Sequence, residues 1–188
     1  MRPPPSAAAG YARAAMRISL AQVPSVLGDV EANLARAAEI IAEAGQDASD
    51  LVVFPELYLT GYALGQVDED VSMPADDPRL TGLSALVPTT DVLVGLYEDG
   101  HGVHNYNAAA YLSGGGLLHT HRKLYLPTYG IFQEDRFLGA GTRLALAPLP
   151  WGKAGVLICE DLWYPDLARR LATAGARLVV VISAGPGR

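Results

Sequence analysis

The feature of this chain that most constrains its fold is the alternation of short apolar runs with segments of helical periodicity. Residues 51–54, 91–97 and 154–159 are mostly apolar, and turn-forming or polar residues bound each of them. Apolar runs of this length are typical of strands that are buried on both faces of a sheet. Because such strands alternate with helices here, we predict an α/β fold of mixed β-sheets covered by helices.

Further strands complete the predicted sheets. They lie at residues 17–23, 107–112, 117–121 and 177–182. The segment SGGG separates the second of these strands from the third, and a glycine-rich turn between two apolar runs predicts a β-hairpin. The sheets should therefore contain antiparallel as well as parallel neighbours.

Three helices are predicted between the strands. The first has its cap at Asp29, carries Leu34, Ala37, Ala38 and Ile41 on one face, and ends at Gly45. The second covers residues 78–86, and the third begins at Pro165 and ends at Gly175. Residues 61–77 are predicted to form a loop.

Size and charge limit the kinds of protein that this chain can be. It has 188 residues, 50% of them apolar and 18% charged, which suits one domain, over residues 16–188. The net charge is −6 and no run of Lys or Arg exceeds two residues, so no nucleic-acid surface is predicted. A small-molecule or protein partner is expected instead.

The termini and the cysteine content bear on location. Residues 1–15 are rich in Pro and Ala and lack the apolar stretch of a secretory signal, so we expect a disordered leader, with translation starting at Met1 or Met16. No apolar run approaches the roughly 20 residues of a membrane helix. The single cysteine excludes an internal disulfide and fits a reducing compartment. We therefore expect a cytoplasmic protein with no membrane partner.

The single cysteine, Cys159, ends an apolar strand and precedes the polar turn EDLWYPD. A thiol in this place can be a nucleophile, because nearby helix amides and a cation lower the pKa of a cysteine. An isolated cysteine is more often a buried, inert apolar residue, however. Cys159 alone does not decide between the two interpretations.

Two charged residues occupy similar positions. Glu56 follows the strand at residues 51–54, directly after Pro55, and Lys123 follows the strand at residues 117–121. A carboxylate at the apolar end of a strand can act as a general base for a thiol, and a lysine can stabilise an oxyanion. Taken singly, each is better interpreted as a solvated surface group.

Three segments taken together carry more information than these residues do alone. FPEL at residues 54–57, HRKLYLPTYGIFQEDRF at residues 121–137 and VLICEDLWYPDLARRL at residues 156–171 resemble the three signature blocks of the nitrilase, or carbon-nitrogen hydrolase, superfamily, in the family order. Three ordered blocks are a more specific signal than one short motif. The resemblance covers the chain from about residue 16 onward and implies a four-layer αββα sandwich.

The resemblance also implies a role for five residues. Glu56 would be the general base, Lys123 the ammonium beside the tetrahedral intermediate, and Cys159 the attacking thiol. The backbone N–H of Glu160 would be the second oxyanion donor, and Glu134 matches a second glutamate near the catalytic lysine. These groups suffice for amide cleavage through a cysteine thioester, so no cofactor and no metal are expected.

The branch of the superfamily is indicated by the nucleophile block. CEDLWYP resembles the amidase and glutaminase branches, including the glutaminase part of NAD synthetases, and departs from the Cys-Trp-Glu pattern of true nitrilases. The expected function is hydrolysis of a small amide with release of ammonia or an amine. The alternatives are a nitrile hydrolase and an inactive relative that acts in binding or assembly. Because family members are longer and commonly pair, we expect a sandwich incomplete at its C-terminus and a homodimer or higher homo-oligomer.

A metalloenzyme is the remaining alternative. His119 and His121 share one face of a strand, and His101 and His104 lie nearby in sequence. No third group of ligands accompanies them, so structural or surface roles are favoured.

Overall fold

The computed structural model describes residues 16–102, 104–130, 132–149 and 151–185, so the predicted leader lies outside the described residues. The strands in these ranges are β1 (Ile18–Leu20), β2 (Leu51–Val53), β3 (Asp91–Glu98), β4 (Tyr106–Ser113), β5 (Gly116–Arg122), β6 (Leu146–Leu149), β7 (Gly152–Ile158) and β8 (Leu178–Ile182). The α-helices are α1 (Val30–Gln46), α2 (Pro78–Leu86) and α3 (Pro165–Thr173). Short 3₁₀ helices cover Leu64–Gln66, Glu134–Arg136 and Cys159–Trp163.

The strands form two sheets, and both are mixed, as predicted. The five-stranded sheet has the order β1-β2-β3-β4-β5, in which β1, β2 and β3 are parallel and β4 is antiparallel to both of its neighbours. The three-stranded sheet has the order β6-β7-β8, with β6 antiparallel and β8 parallel to β7. The predicted hairpin is β4 and β5.

Side chains along β3 alternate between two cores. Val92, Val94 and Leu96 pack in the core formed with α1 and α2, whereas Leu93 packs between the two sheets with Val156 of β7. The five-stranded sheet is therefore covered by helices on one face and by the three-stranded sheet on the other.

The third helix covers the outer face of the three-stranded sheet. Leu167 and Leu171 of α3 pack with Leu157 of β7 and with the partly buried Val179 and Val181 of β8. The layers thus follow the order helix, sheet, sheet, helix, which confirms the predicted αββα sandwich. No helix within the described ranges is long and apolar enough to cross a membrane.

The helices begin at the capping residues that the sequence contains. Asp29 caps α1 by accepting a hydrogen bond of 2.9 Å from the Ala32 N–H, and Asp77 caps α2 by accepting one of 2.8 Å from the Arg79 N–H. Pro165 occupies the first turn of α3, where its missing N–H leaves no bond unmade.

Some element boundaries differ from the predicted ones. β1 ends at Leu20, because the Gln22 N–H turns back onto the Leu20 carbonyl at 3.1 Å. Gly45 lies inside α1, and a Cβ there would be 2.8 Å from Val87 Cγ1, so this glycine allows close packing and does not end the helix. The predicted loop at residues 61–77 contains one 3₁₀ turn. β6 was not predicted, because Pro148 interrupts its short apolar run.

Candidate active site

The three residues predicted to be catalytic lie just past the ends of strands. Glu56 follows β2, Lys123 directly follows β5, and Cys159 directly follows β7. The side chains of Glu56 and Lys123 are fully shielded from solvent, and Cys159 is half-buried. Since β2 and β5 belong to one sheet and β7 to the other, the site lies where the ends of the two sheets meet.

A lysine between two carboxylates forms the centre of the site. Lys123 Nζ donates to Glu56 Oε1 at 2.7 Å and to Glu134 Oε1 at 2.7 Å. The two acids come from segments far apart in sequence, since Glu134 lies in the 3₁₀ turn Glu134–Arg136. The structure thus brings together three of the five residues to which the resemblance gave a role.

Two further donors hold Glu56, and neither was found from the sequence. The Asn107 Nδ2 amide of β4 donates to Glu56 Oε1 at 2.8 Å, and the Ala184 backbone N–H after β8 donates to Glu56 Oε2 at 2.8 Å. Asn107 also contacts the lysine, because its carbonyl accepts the Lys123 N–H at 2.8 Å. Both sheets therefore contribute to the orientation of this carboxylate.

The turn that carries Glu56 depends on a glycine in the neighbouring strand. A Cβ on Gly95 of β3 would lie 2.3 Å from the Pro55 carbonyl oxygen and 2.5 Å from the Leu57 nitrogen. Leu57 itself has a φ of 50°, a left-handed conformation that costs a non-glycine residue roughly 1 kcal/mol or more. Close backbone packing therefore stabilises a strained turn next to the acid.

Cys159 adopts a similar strained conformation. Its φ is 44°, and it begins the 3₁₀ helix Cys159–Trp163 instead of ending β7 as predicted. Its thiol lies close enough to Glu56, Lys123 and Glu134 for the charge of each to act on its pKa. The structure therefore brings the nucleophile candidate to the charged cluster.

The pKa of the Cys159 thiol is raised, in contrast to the lowering that helix amides and a nearby cation would produce by themselves. Burial is the largest cause, and the negative charge of Glu56 adds to it. A hydrogen bond from Ser183 and the charge of Lys123 act in the opposite direction but are outweighed. In the free protein, this thiol therefore favours its neutral form.

The charged cluster shifts the pKa values of its own members. Burial alone would lower the pKa of Lys123, but the charges and hydrogen bonds of Glu56 and Glu134 together raise it. Burial raises the pKa of Glu134, although Lys123 and the Tyr62 hydroxyl, which donates to Glu134 Oε1, oppose this shift. Lys123 is thus held as an ammonium, as an oxyanion-stabilising group must be.

Glu160, the fifth predicted residue, makes a different contact. Its side chain accepts a hydrogen bond of 2.8 Å from the Tyr129 hydroxyl. Its backbone N–H belongs to the first turn of the 3₁₀ helix, where N–H groups have no intrahelical acceptor. The backbone position suits the predicted oxyanion donor, whereas the side chain fixes the loop around Tyr129.

Asp161 and His121 form a buried pair that the sequence did not indicate as part of the site. His121 Nε2 lies 2.9 Å from Asp161 Oδ2, and both side chains are almost completely buried. His119 Nε2 is buried and has no hydrogen-bond partner within the part of the chain that the structure describes. Among the described residues, no group of three or more His, Cys, Asp or Glu side chains has the spacing of a metal site.

An aromatic wall and a cavity adjoin Glu134. Phe132 packs edge-on against Tyr62 and Tyr129, with ring centroids 6.1 and 5.8 Å apart. The cavity has a volume of about 450 Å³. Its lining includes Tyr62, Leu64, Gln66, Gln133, Glu134 and Phe137. A second cavity, of about 550 Å³, lies beside β5; its described lining includes His119 but none of the five residues to which the resemblance gave a role.

The fold that carries this site is shared with a solved amidase that is named as a member of the nitrilase superfamily. The carbon-nitrogen hydrolase family model matches residues 17–187 of this sequence. The chain belongs to the carbon-nitrogen hydrolase family.

Two kinds of curated relative are similar in sequence. The glutamine-dependent NAD(+) synthetase of Thermotoga maritima is 35% identical over 176 residues, which are 91% of this chain and 30% of the relative. A protein of Pseudomonas protegens named hydrolase in the pqqF 5′ region is 34% identical over 173 residues, covering 90% of this chain and 59% of the relative.

Solved structures agree with this assignment. The glutamine-dependent NAD+ synthetase of Acinetobacter baumannii superposes with a TM-score of 0.79 at 28% identity, over 92% of this chain and 33% of that one. A C145A mutant of the Nesterenkonia AN1 amidase superposes with a TM-score of 0.78 at 27% identity, over 92% and 66%. The chain thus spans about a third of the synthetases and about two thirds of the amidase.

Proposed function

We propose that this chain hydrolyses the carbon-nitrogen bond of a small carboxamide through a thioester on Cys159 and releases ammonia or an amine. The observation that carries the proposal is the buried Glu56–Lys123–Glu134 cluster beside the thiol. A base, a cation and a nucleophile are the groups that acyl transfer from an amide requires.

The first half of the reaction forms the thioester. Because the raised pKa keeps Cys159 neutral at rest, its proton must leave during the attack, and Glu56 is the base proposed to take it. The sulfur forms a bond to the carbonyl carbon, and the carbonyl oxygen becomes an oxyanion beside the Lys123 ammonium and the Glu160 N–H. Glu56 then returns the proton to the nitrogen as the carbon-nitrogen bond breaks, and the amine leaves.

The second half releases the acid. Glu56 removes a proton from water, the hydroxide attacks the thioester carbon, and a second oxyanion forms at the same site. The carbon-sulfur bond then breaks, and Cys159 takes back the proton. Atoms and charge balance over the cycle: one amide and one water give one carboxylic acid and one amine.

A buried acceptor oxygen of Glu134 favours an amide over a nitrile as the substrate. Glu134 lines the cavity, and its Oε2 atom is buried with no hydrogen-bond partner among the described residues, which is costly unless a ligand supplies a donor. A carboxamide carries N–H donors at its nitrogen, whereas a nitrile carries none. The glutamine dependence named for the synthetase relatives makes glutamine a natural first substrate to test.

The surface after the nucleophile supports the predicted homo-oligomer. Leu162 and Trp163 are 52% and 79% exposed, and Tyr164 beside them is also exposed. Exposed apolar side chains that lie together favour association. Sedimentation of the purified chain tests this proposal.

The decisive experiment is a thioester trap. The 188-residue chain and its Cys159→Ala variant are incubated with glutamine, with short aliphatic amides and with a matched nitrile, in the presence and absence of hydroxylamine. Ammonia release from an amide, with conversion of the acyl product to a hydroxamate by hydroxylamine, is expected for the parent only. Ammonia release by Cys159→Ala would reject the covalent mechanism and revive water attack. A folded parent that releases no ammonia would instead favour the inactive relative.

A further inference from the structure

We propose that Asp161 is a positioning residue that holds the nucleophile turn and the lysine segment at a fixed separation, and that His121 acts through it. The inference rests on the proposed function, because it assumes that Cys159 and Lys123 serve the same reaction. It is carried by hydrogen bonds of a carboxylate that is 0% exposed.

One oxygen of Asp161 binds the lysine segment. Asp161 Oδ1 accepts the backbone N–H groups of Leu124 at 2.9 Å and Tyr125 at 3.0 Å. These are the two residues that follow Lys123, at the point where the chain leaves β5. The carboxylate therefore fixes the backbone from which the lysine side chain extends.

The other oxygen binds the nucleophile strand. Asp161 Oδ2 accepts the backbone N–H of Ile158, the residue before Cys159, at 3.1 Å. The same oxygen lies 2.9 Å from His121 Nε2, which belongs to β5 in the other sheet. Asp161 thus connects the end of the three-stranded sheet to the end of the five-stranded sheet by both of its oxygens.

This connection explains how a strained nucleophile is kept in place. The left-handed backbone of Cys159 is unfavourable for a residue with a Cβ, so the turn relaxes unless its surroundings hold it. The bond from the Ile158 N–H to Asp161 closes that turn. Without it, the thiol is expected to move relative to the lysine.

Replacing Asp161 by asparagine, which has the same shape, breaks the connection in either orientation of the side-chain amide. An asparagine has one acceptor oxygen, but protein N–H donors face both oxygens of Asp161. In either orientation, the amide nitrogen must point at a backbone N–H, so one of the two segments loses its anchor. Asp161→Asn therefore keeps the shape of the side chain and removes one link.

The test compares Asp161→Asn with Asp166→Asn in the 188-residue chain. Asp166 is a half-exposed acid of α3 that pairs only with Arg169 and Arg170 among its described contacts, so it controls for the loss of one carboxylate nearby. We measure kcat and KM for an amide, the rate of Cys159 alkylation by iodoacetamide, and thermal unfolding. Asp161→Asn is expected to lower kcat about 100-fold, the effect of a displacement near 1 Å, with KM within threefold. The rate of Cys159 alkylation in Asp161→Asn should change at least fivefold. In Asp166→Asn, kcat, KM and the alkylation rate should all stay within twofold of the parental values.

A second pair of variants keeps the proposal testable if Asp161→Asn does not fold. His121→Leu removes one donor to Asp161 and should lower kcat about tenfold, whereas His121→Gln keeps an N–H donor and should restore kcat to within threefold. A folded Asp161→Asn with parental kcat and alkylation rate would overturn the proposal. So would parental kcat in both His121 variants. If the parent cleaves no amide, the proposed function fails, but the alkylation rates still test the positioning role.

Discussion

The two sheets of the sandwich share a mixed topology but differ in how well they are buried. In β3, the central strand of the five-stranded sheet, seven of eight residues are buried, whereas in β7, the central strand of the three-stranded sheet, five of seven are. Two helices and the opposing sheet cover the first, while α3, a helix of nine residues, covers the outer face of the second. The difference matters because the site takes groups from both.

The five-stranded sheet carries the charged groups and the three-stranded sheet carries the thiol. Glu56, Asn107 and Lys123 follow or belong to strands of the first sheet, and Cys159 and Ala184 follow strands of the second. Glu56, Asn107 and Lys123 are therefore held by the sheet that has the larger core, and fixed positions of such groups are what preorganisation requires. The position of the nucleophile depends on the bonds that cross between the sheets.

Removing the central lysine should have the largest effect on stability and on turnover. Lys123→Met leaves two buried carboxylates without their cation, which should lower the free energy of unfolding by about 3–5 kcal/mol. It also removes an oxyanion donor, so kcat should fall about 10²–10³-fold. Urea unfolding and amide turnover measure the two effects.

The control for Lys123→Met is a substitution in an exposed ion pair of α3, the helix that covers the three-stranded sheet. Arg170 Nε lies 2.6 Å from Asp166 Oδ2 in α3, a separation as short as those of Lys123, but its side chain is 69% exposed. Arg170→Met should therefore lower the free energy of unfolding by less than about 1 kcal/mol. Equal losses in the two variants would contradict the view that burial, and not ion-pair distance, sets their energies.

Truncating one leucine in each layer tests the difference in packing. Leu96 of β3 and Leu157 of β7 are both completely buried. Leu96 lies among many buried neighbours, whereas the core around Leu157 contains mostly half-buried residues that can move into a cavity. Leu96→Ala should cost about 4 kcal/mol and Leu157→Ala about 2–3 kcal/mol, because the cost depends on how far a site collapses. The reverse order in urea unfolding would show that the three-stranded layer is the stiffer one.

Adding one methyl group in each sheet gives a smaller but more local effect. Gly95→Ala places a Cβ against the backbone of the Glu56 turn, at 2.3 Å from the Pro55 oxygen, and should cost about 1–3 kcal/mol and displace the acid. Gly155→Ala meets Leu171 Cδ1 at 2.6 Å, the flexible end of a side chain, and should cost less than about 1 kcal/mol. Amide turnover should fall in the first variant only. Loss of turnover in both would contradict a specific role for the Glu56 turn.

Local patterns were enough to predict most of the strands and helices, whereas the four-layer order and the roles of the three central residues were implied by the family resemblance. Buried strands such as β3 appear as apolar runs, and capping residues such as Asp29 mark helix starts, because both depend on neighbours in sequence. Glu56, Lys123 and Cys159 were identified from the resemblance of three blocks, and the structure then brought them together.

The contacts that orient these residues were not predictable in the same way. Asn107 and Asp161 bind groups 51 and 37 residues away in the chain, and no local pattern marks them as polar anchors. The Ala184 contact uses a backbone N–H, for which side-chain identity carries no signal. The raised pKa of Cys159 could not be predicted either, because burial and the charge of Glu56 are properties of the assembled site.

The smallest predicted effect concerns the pH dependence of thiol alkylation, and it tests how strongly one sheet acts on the other. Because burial and then Glu56 raise the pKa of Cys159, the thiolate fraction at neutral pH should be lower than in a free thiol, and the midpoint of alkylation by iodoacetamide should lie above the ordinary thiol range. Glu56→Gln removes a negative charge, which favours the thiolate, so the midpoint should move to lower pH. Glu134→Gln should move it in the same direction but less, since the charge of Glu134 contributes least among the causes given for this thiol.

Folded variants, verified by thermal unfolding, are alkylated over a pH series and quantified by intact mass. A parental midpoint at or below that of a free thiol would show that burial and the neighbouring acids do not raise the pKa of Cys159. Equal shifts in the two variants would show that Glu56 acts on the thiol no more strongly than Glu134 does.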